Sequence, residues 1–222
     1  WVRMSTDLPG KDEGDPVTEA EQTLLLNGSE IVVSVYDGSA WTSTRLTENA
    51  TPDLAPAVAS NGSGDAIVFW RSVYTSSLEN TLDFGPQDYI MFSRYDSGTK
   101  TWSDPQLLYN GATGSVKALQ AAMLPDGTAM AVYTLDRSGS GDTTQYEVGY
   151  GLVDQTGKAG TPINATRDTC LDENPQVVAA NFGAGDDRFV MAWHTVHDGV
   201  GNICLLAVNK DGVPSNSFPS SF

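Results

Sequence analysis

The stretch Ala66-Ile67-Val68-Phe69-Trp70 decides the fold of this chain. It is apolar at every position, it follows the glycine-rich turn 61–64, and it ends on an aromatic residue. A short run that is apolar throughout is typical of a strand covered on both faces of its sheet. The preceding run, Pro56–Ser60, has the length of a second strand. The two runs together predict an antiparallel hairpin.

The same pattern occurs four times along the chain. The aromatic residues that end the apolar runs are Trp1, Trp70, Tyr133 and Trp193, spaced 69, 63 and 60 residues apart. After each of them comes a polar stretch and then another strand-like run that closes on a glycine turn. A repeat of this kind indicates one supersecondary unit that is copied and stacked, because a single unit cannot bury its own apolar face.

Four antiparallel strands per repeat predict an all-β chain built from β-propeller-like blades. We expect one segment, 1–222, with about three and a half blades: a half blade over 1–48 and whole blades over 49–110, 111–166 and 167–222. The only helical turn we expect is Thr18–Gln22. A β-sandwich is the alternative, since it also gives many short strands separated by turns.

Three and a half blades do not close a ring of the usual size. We therefore expect the chain to be a piece of a longer protein. An upstream fragment or a second chain would complete the propeller, because otherwise an apolar face and a strand edge stay exposed.

Composition narrows the functional classes. The 222 residues carry a net charge of −16 and are 40% apolar, enough for one substantial core. That charge repels polyanions, so we expect no nucleic-acid partner. No stretch approaches the ~20 apolar residues that span a bilayer, so we expect no membrane insertion. We predict an extracellular or cell-surface location.

Cys170 and Cys204 both lie in the last repeat. They could form a disulfide bond with each other, or they could be two free thiols.

The glycine turns resemble the Asp-box turns of sialidase-like propellers, whose pattern is Ser/Thr-x-Asp-x-Gly-x-x-Trp. The nearest match, Ser93–Trp102, has one extra residue on each side of its Asp-x-Gly core. A shorter version is Tyr36–Trp41. The resemblance implies structural roles: an aspartate that accepts backbone hydrogen bonds, a glycine in a conformation that other residues avoid, and a tryptophan packed between strands. Six residues would fill these roles: Asp37, Gly38, Trp41, Asp96, Gly98 and Trp102.

The resemblance also implies what a sialidase would need, namely three arginines that clamp a carboxylate, a tyrosine nucleophile with a glutamate partner, and an acidic aspartate. Arg3, Arg71 and Arg137 each follow a predicted strand and could form such a clamp. Solvated loop arginines are the simpler interpretation. We therefore assign no catalytic residue from the resemblance.

One end of the predicted blades carries the long connections, 2–30, 71–88, 134–146 and 194–202, whereas the opposite turns are short. Recognition is usually placed on loops of a rigid scaffold, so we predict the ligand site there. The candidate ligand residues are Arg71, Asp83, Arg137, Asp142, Asp172, His194 and His197. We predict no metal site, because the two histidines have no third ligand nearby, and calcium is the one cofactor that these acidic loops could hold.

The sequence therefore predicts a non-catalytic extracellular module that binds glycan or protein through its long loops. The alternatives are part of a sialidase-like glycoside hydrolase and an architectural spacer in a larger surface protein.

Overall fold

The structure is a computed structural model, and it describes residues 1–4, 8, 10–11, 15–73, 88–111, 114–137 and 146–215. Within these residues the chain forms four antiparallel sheets and one short helix. The chain is therefore all-β apart from that helix.

Sheet 1 has three strands in the order β1 (Val2–Met4), β2 (Ser29–Tyr36) and β3 (Trp41–Arg45). Helix α1 (Glu19–Asn27) lies between β1 and β2 in the chain. It starts with a capping box, in which the Thr18 hydroxyl accepts the Glu21 N–H and the Glu21 carboxylate accepts the Thr18 N–H.

The predicted single turn over 18–22 is too short, since α1 runs for nine residues. None of these nine residues is buried. An amphipathic stripe is the usual sequence signal of a helix, and α1 has none because it covers no core.

Sheet 2 consists of β4 (Asp53–Ser60), β5 (Ala66–Val73), β6 (Asp88–Asp96), β7 (Thr101–Trp102) and β8 (Gln106–Gly111). The outer edge of β6 pairs first with β7 and then with β8, so these two short strands share the outermost position.

Sheets 3 and 4 have four strands each, in sequence order from the inside outwards. Sheet 3 consists of β9 (Ser115–Met123), β10 (Ala129–Asp136), β11 (Tyr146–Val153) and β12 (Ile163–Asn164). Sheet 4 consists of β13 (Leu171–Asn181), β14 (Asp187–His197), β15 (Val200–Asn209) and β16 (Pro214–Ser215).

The sheets pack one after another, and the first strand of sheets 2, 3 and 4 lies at the inside. Strand β4 contacts β9, and β9 contacts β13. Three apolar clusters lie between consecutive sheets: Ile31 with Trp70 between sheets 1 and 2, Phe92 with Leu119 between sheets 2 and 3, and Val132 with Met191 between sheets 3 and 4. A sandwich would bury one layer between two sheets. This radial series instead is a partial β-propeller.

Burial along the second strands follows the coverage of each sheet. Strand β10 is buried at all eight positions because sheets 2 and 4 cover its two faces. Strand β14 is buried only at Phe189, Met191 and Trp193, the side that faces sheet 3. The prediction that the run Ala66–Trp70 is covered on both faces is confirmed for Ile67–Trp70, whereas Ala66 is partly exposed.

Sheet 1 differs from the others because no described strand occupies its innermost position. Beside it lies an apolar groove of about 380 Å³, lined by residues that include Trp1, Val33, Val35, Val58 and Val68. Completion of the propeller by an upstream fragment or a second chain stays a prediction.

Candidate functional site on the loop face

One end of the sheets gathers most of the candidate ligand residues. At this end β5 leads towards β6 and β10 towards β11, with Val73 paired to Asp88 and Asp136 paired to Tyr146. The inner strands β4, β9 and β13 begin at the same end. We call this end the loop face.

Arg71 does not point into an open site. Its Nε lies 2.8 Å from Asp88 Oδ2, and the two residues are 8% and 0% exposed. The same Asp88 oxygen accepts the N–H of Val116, so the pair joins sheet 2 to sheet 3. Burial raises the pKa of the Asp88 carboxyl, and the charge of Arg71 opposes that rise. The contacts of Arg71 are those of a buried structural ion pair.

Tyr146 belongs to a group of five polar residues, of which Asp136 is fully buried and the other four are partly exposed. Lys117 Nζ lies 5.8 Å from the centre of the Tyr146 ring and 3.5 Å from Asp136 Oδ2. Burial raises the pKa of Tyr146, and the negative charges of Asp136 and Glu173 add to the rise. His194 Nδ1 lies 3.4 Å from Glu173 Oε1. We call these five residues the Tyr146 patch.

The two histidines do not form a pair. Both belong to β14, where His194 is paired with Ile203 and His197 with Val200. Residues three apart in a strand point to opposite faces of the sheet, so the two rings do not converge. His197 lies near Asp198, 3.8 Å away, at the exposed end of the strand.

The prediction of a long loop over 194–202 is wrong. Strands β14 and β15 are joined by Asp198 and Gly199 alone, which have φ angles of 51° and 76°. Two positive φ angles are the mark of a type I′ turn, and Asp-Gly is a favoured sequence for it. This dipeptide was the signal for the hairpin.

Asp172 is buried at the start of β13, with 1% of its surface exposed. Its Oδ1 accepts a hydrogen bond from Trp193 Nε1 at 3.1 Å. Glu147 and Asp168 lie beside it, and one oxygen from each of the three carboxylates lies within 4.8 Å of the others. Arg137 reaches the same cluster, with Nη1 3.5 Å from Glu147 Oε1.

Sequence reasoning found Asp172 and Arg137 but missed Glu147 and Asp168. It also missed Lys117, Asp136, Tyr146 and Glu173. The candidates Asp83 and Asp142 lie outside the described residues. The structure thus brings Asp172 and Arg137 into one carboxylate cluster, places His194 in the neighbouring patch, and leaves Arg71 and His197 elsewhere.

In the turn between β2 and β3, Asp37 Oδ1 accepts the N–H groups of Ser39 and Ala40, each at 2.9 Å. The hydrogen bond from the Ala40 backbone, then those from Ser39, lower the pKa of Asp37 to about 2. Gly38 has a φ of 97°. Trp41 is 69% exposed and stacks on Tyr36 with ring centres 5.3 Å apart, so it is not packed between strands.

In the turn between β6 and β7, Asp96 Oδ1 accepts the N–H groups of Gly98 and Thr99 at 2.7 and 2.9 Å. The left-handed residue is Lys100, with a φ of 58°, and not Gly98. The expected reason for a glycine therefore does not hold at Gly98. A Cβ there would instead lie 3.1 Å from the Asp96 oxygen. Trp102 packs against the cluster between sheets 1 and 2.

A polar cleft of about 480 Å³ opens at the opposite end of sheets 2 and 3, among their short turns. Asp65, Arg94 and Ser97 are among the residues that line it. Arg94 donates a hydrogen bond to the carbonyl of Asp154, and Ser97 N–H donates to Asp65 Oδ1 at 3.0 Å. These contacts tie neighbouring turns together.

Cys170 and Cys204 are free thiols. A hydrogen bond with Asp168 raises the pKa of Cys170, and burial raises the pKa of Cys204. No helix in the described part of the chain has both the length and the apolar character to cross a bilayer.

Comparisons with known proteins find similarity in structure and none in sequence. No protein-family model matches the sequence, and no curated protein does. Among solved structures, the Hadza microbial sialidase Hz136 has a TM-score of 0.53 at 15% identity, over 85% of this chain and 39% of that protein. The chain thus spans well under half of that protein. At this identity the likeness shows the fold alone.

Two further solved structures align less well. A protein of unknown function from Dyadobacter fermentans DSM 18053 has a TM-score of 0.47 at 15% identity, over 81% of this chain and 44% of that protein. The endo-arabinase from Bacteroides thetaiotaomicron VPI-5482 has a TM-score of 0.42 at 16% identity, over 87% of this chain and 68% of that protein.

Proposed function

We propose that this chain is a non-catalytic, extracellular recognition module that binds glycan through the Tyr146 patch. The patch itself carries the proposal: the Lys117 ammonium lies over the Tyr146 ring, the charges of Asp136 and Glu173 act on the Tyr146 hydroxyl, and the His194 imidazole contacts Glu173. A sugar presents apolar C–H groups on its faces and hydroxyls around its edge. An aromatic face with hydrogen-bonding groups beside it suits both parts.

The state of the charged groups supports binding over hydrolysis. A carboxylate clamp needs arginines with free guanidinium edges. Arg71 is held by buried Asp88, and Arg137 contacts Glu147. Within the patch, Asp136 is fully buried and contacts Lys117. A glycosidase pair needs two carboxylates at the substrate, and Asp136 does not reach the surface.

The runner-up is part of a sialidase-like glycoside hydrolase. The observation in its favour is the fold that this chain shares with the Hadza microbial sialidase Hz136. The chain covers 39% of that protein. Catalytic groups supplied outside these 222 residues would complete such an enzyme.

A glycan array probed with the fluorescently labelled chain tests the proposal. We expect retention on a defined glycan class, and a dissociation constant at least about five times higher for Tyr146→Ala, because stacking on an aromatic ring contributes roughly 1 kcal/mol or more. Tyr36→Ala is the matched control, since Tyr36 is an exposed tyrosine at the end of β2, outside the patch. Equal binding by the wild type and by Tyr146→Ala would show that the glycan site is not the Tyr146 patch.

The same preparation, incubated with sialyl and arabinosyl aryl glycosides, separates binding from hydrolysis. We expect no release of the aryl group. Turnover above the rate of a heat-denatured control would establish the enzyme alternative, whereas no glycan retained on the array would favour the spacer.

A further inference from the structure

Two of the segments that join consecutive sheets repeat each other in sequence. The first junction, 47–56, leads from sheet 1 into sheet 2, and the last junction, 166–175, leads from sheet 3 into sheet 4. Each has threonine first, Asn or Asp two residues later, aspartate four residues after that, and proline three residues further on. Each also holds a left-handed residue before the proline, Ala55 with a φ of 51° and Asn174 with a φ of 54°.

The side-chain contacts of the two junctions repeat as well. In the first junction, Thr47 Oγ1 accepts the Ile31 N–H at 2.9 Å and Asp53 Oδ1 accepts from Trp70 Nε1 at 3.0 Å. In the last junction, Thr166 Oγ1 accepts the Val148 N–H at 2.9 Å and Asp172 Oδ1 accepts from Trp193 Nε1 at 3.1 Å. The two junctions are therefore one structural unit used twice.

A buried glutamate completes each unit. Glu30 Oε1 accepts the backbone N–H of Asn49 at 3.0 Å, and Glu147 Oε1 accepts the backbone N–H of Asp168 at 3.1 Å. Glu30 and Glu147 are both almost fully buried. The second position of the unit, Asn49 or Asp168, thus lies at the same place in both junctions.

Two side-chain contacts differ between them. Thr166 Oγ1 donates to Glu147 Oε2 at 2.7 Å, whereas Glu30 Oε2 in the first junction is buried without a hydrogen-bond partner. The second difference concerns the buried aspartate. Asn49 donates from Nδ2 to Asp53 Oδ2 at 3.1 Å, which satisfies the second oxygen of the buried aspartate. A carboxylate has no such donor. Asp172 Oδ2, with the residue 1% exposed, accordingly has no hydrogen-bond partner.

Each junction also places one arginine against its acids. In the first junction, Arg45 Nη2 lies 3.2 Å from buried Glu30 Oε1 and Arg45 Nη1 lies 3.4 Å from exposed Glu48 Oε1. The last junction has three acids, Glu147, Asp168 and Asp172, and Arg137 lies 3.5 Å from Glu147 Oε1. Glu147 and Asp172 are buried and Asp168 is exposed, and ionised carboxylates this close repel each other unless a cation lies between them.

We infer that Glu147, Asp168 and Asp172 bind a calcium ion that bridges sheets 3 and 4. The donors are all carboxylate oxygens, which favour a hard cation. An irregular set contributed by β11, β13 and the segment between the sheets suits Ca²⁺ better than Mg²⁺, which demands near-ideal octahedral geometry. The unpartnered Asp172 oxygen is the atom that the ion would satisfy. This inference is independent of the glycan proposal.

Asp168→Asn tests the site, because it copies the first junction and supplies the missing amide. After treatment with EDTA, we expect CaCl₂ at a large excess over its dissociation constant to raise the melting temperature of the wild type by about 5 °C or more. Asp168→Asn should melt at or above the EDTA-treated wild type and show no rise with calcium. Asp211→Asn removes one exposed turn acid and should respond like the wild type.

Terbium luminescence gives a readout that needs no variant. Trp193 donates to Asp172, so excitation of tryptophan should sensitise bound Tb³⁺, and added CaCl₂ should remove the emission. If the melting temperature is the same in EDTA and CaCl₂, if Asp168→Asn responds like the wild type, or if ZnCl₂ alone binds, the calcium site is disproved. If Asp168→Asn fails to fold, Glu147→Gln and the terbium titration decide the question in its place.

Discussion

The first and last junctions share three equivalent hydrogen bonds, but the second oxygen of the buried aspartate is treated differently in each. In the first, the amide of Asn49 satisfies the buried Asp53. In the last, Asp168 brings a further carboxylate to the buried Asp172. Two copies of one junction can therefore keep the same tryptophan–aspartate hydrogen bond and still differ in function. Where the first copy has the Asn49 amide, the last has the Asp168 carboxylate, and the inferred cation site lies there.

The junction between sheets 2 and 3 neutralises its buried acids in a third way. Here Asp88 contacts Arg71 at 2.8 Å, and Asp136 contacts Lys117 at 3.5 Å. Two acids face two bases, so the formal charges cancel within the protein. Of the three junctions, the middle one therefore has the most internal positive charge per acid.

The largest effect should come from removing the base of the middle junction. Arg71→Met leaves Asp88 buried without its partner, and loss of one member of a buried pair costs about 3–5 kcal/mol. Denaturant unfolding at pH 7 measures this cost. The double variant Arg71→Met with Asp88→Asn should recover most of the loss, and a loss under about 1 kcal/mol would show that the pair is not structural.

The size of that loss should depend on pH in a defined direction. Burial already raises the pKa of Asp88 above its unfolded value, and removal of Arg71 takes away a charge that lowers it. A carboxyl with a raised folded-state pKa favours folding when protonated, and this contribution is lost as pH rises through the folded pKa. Arg71→Met should therefore be closer to the wild type at pH 4 than at pH 7.

A smaller effect should follow from converting the first junction into the last. Asn49→Asp removes the donor to Asp53 and adds a third carboxylate, so we expect a loss of about 1–3 kcal/mol in EDTA at pH 7. Calcium should restore part of that loss. Unfolding with and without CaCl₂ measures both changes. A variant as stable as the wild type and indifferent to calcium would mean that the two junctions are not equivalent.

The smallest effect should separate the two left-handed residues. Alanine is strained at a φ of 51°, whereas asparagine tolerates this region. Glycine relieves the strain at position 55 but loses more conformational entropy on folding. The net gain in the free energy of unfolding for Ala55→Gly should be about 0.5–1 kcal/mol, and Asn174→Gly should change it by less than about 0.5 kcal/mol. Thermal melts of both variants measure the difference. A larger gain at Asn174 would contradict the expectation.

Much of the fold was predictable from local sequence. The run Ile67–Trp70 predicted a covered strand because each of its residues is apolar. The regular spacing of Trp1, Trp70, Tyr133 and Trp193 predicted the repeat. Helix α1 was underestimated because it buries nothing, and the hairpin at Asp198-Gly199 was missed although its dipeptide was visible. Both features have a local sequence signal: the capping box Thr18–Glu21 for the helix and the dipeptide Asp198-Gly199 for the hairpin.

The sites were less predictable because their members come from distant parts of the chain. Glu147 and Asp172 are in different sheets, and no spacing rule connects them. Lys117 and Tyr146 meet only because β9 and β11 flank the same strand. The one available signal was the match between 47–56 and 166–175, which becomes meaningful once Asn49 and Asp168 are compared.

The amino-acid sequence by itself determined the all-β class, the repeating four-stranded unit and the acidic surface, because apolar periodicity, turn residues and charge act over short distances. Only the tertiary structure decided which charges are buried together. Stacking the sheets placed buried Glu147 and Asp172 next to exposed Asp168, and it buried Arg71 against Asp88. Burial sets the energy of each charge, and burial is a property of the packed sheets.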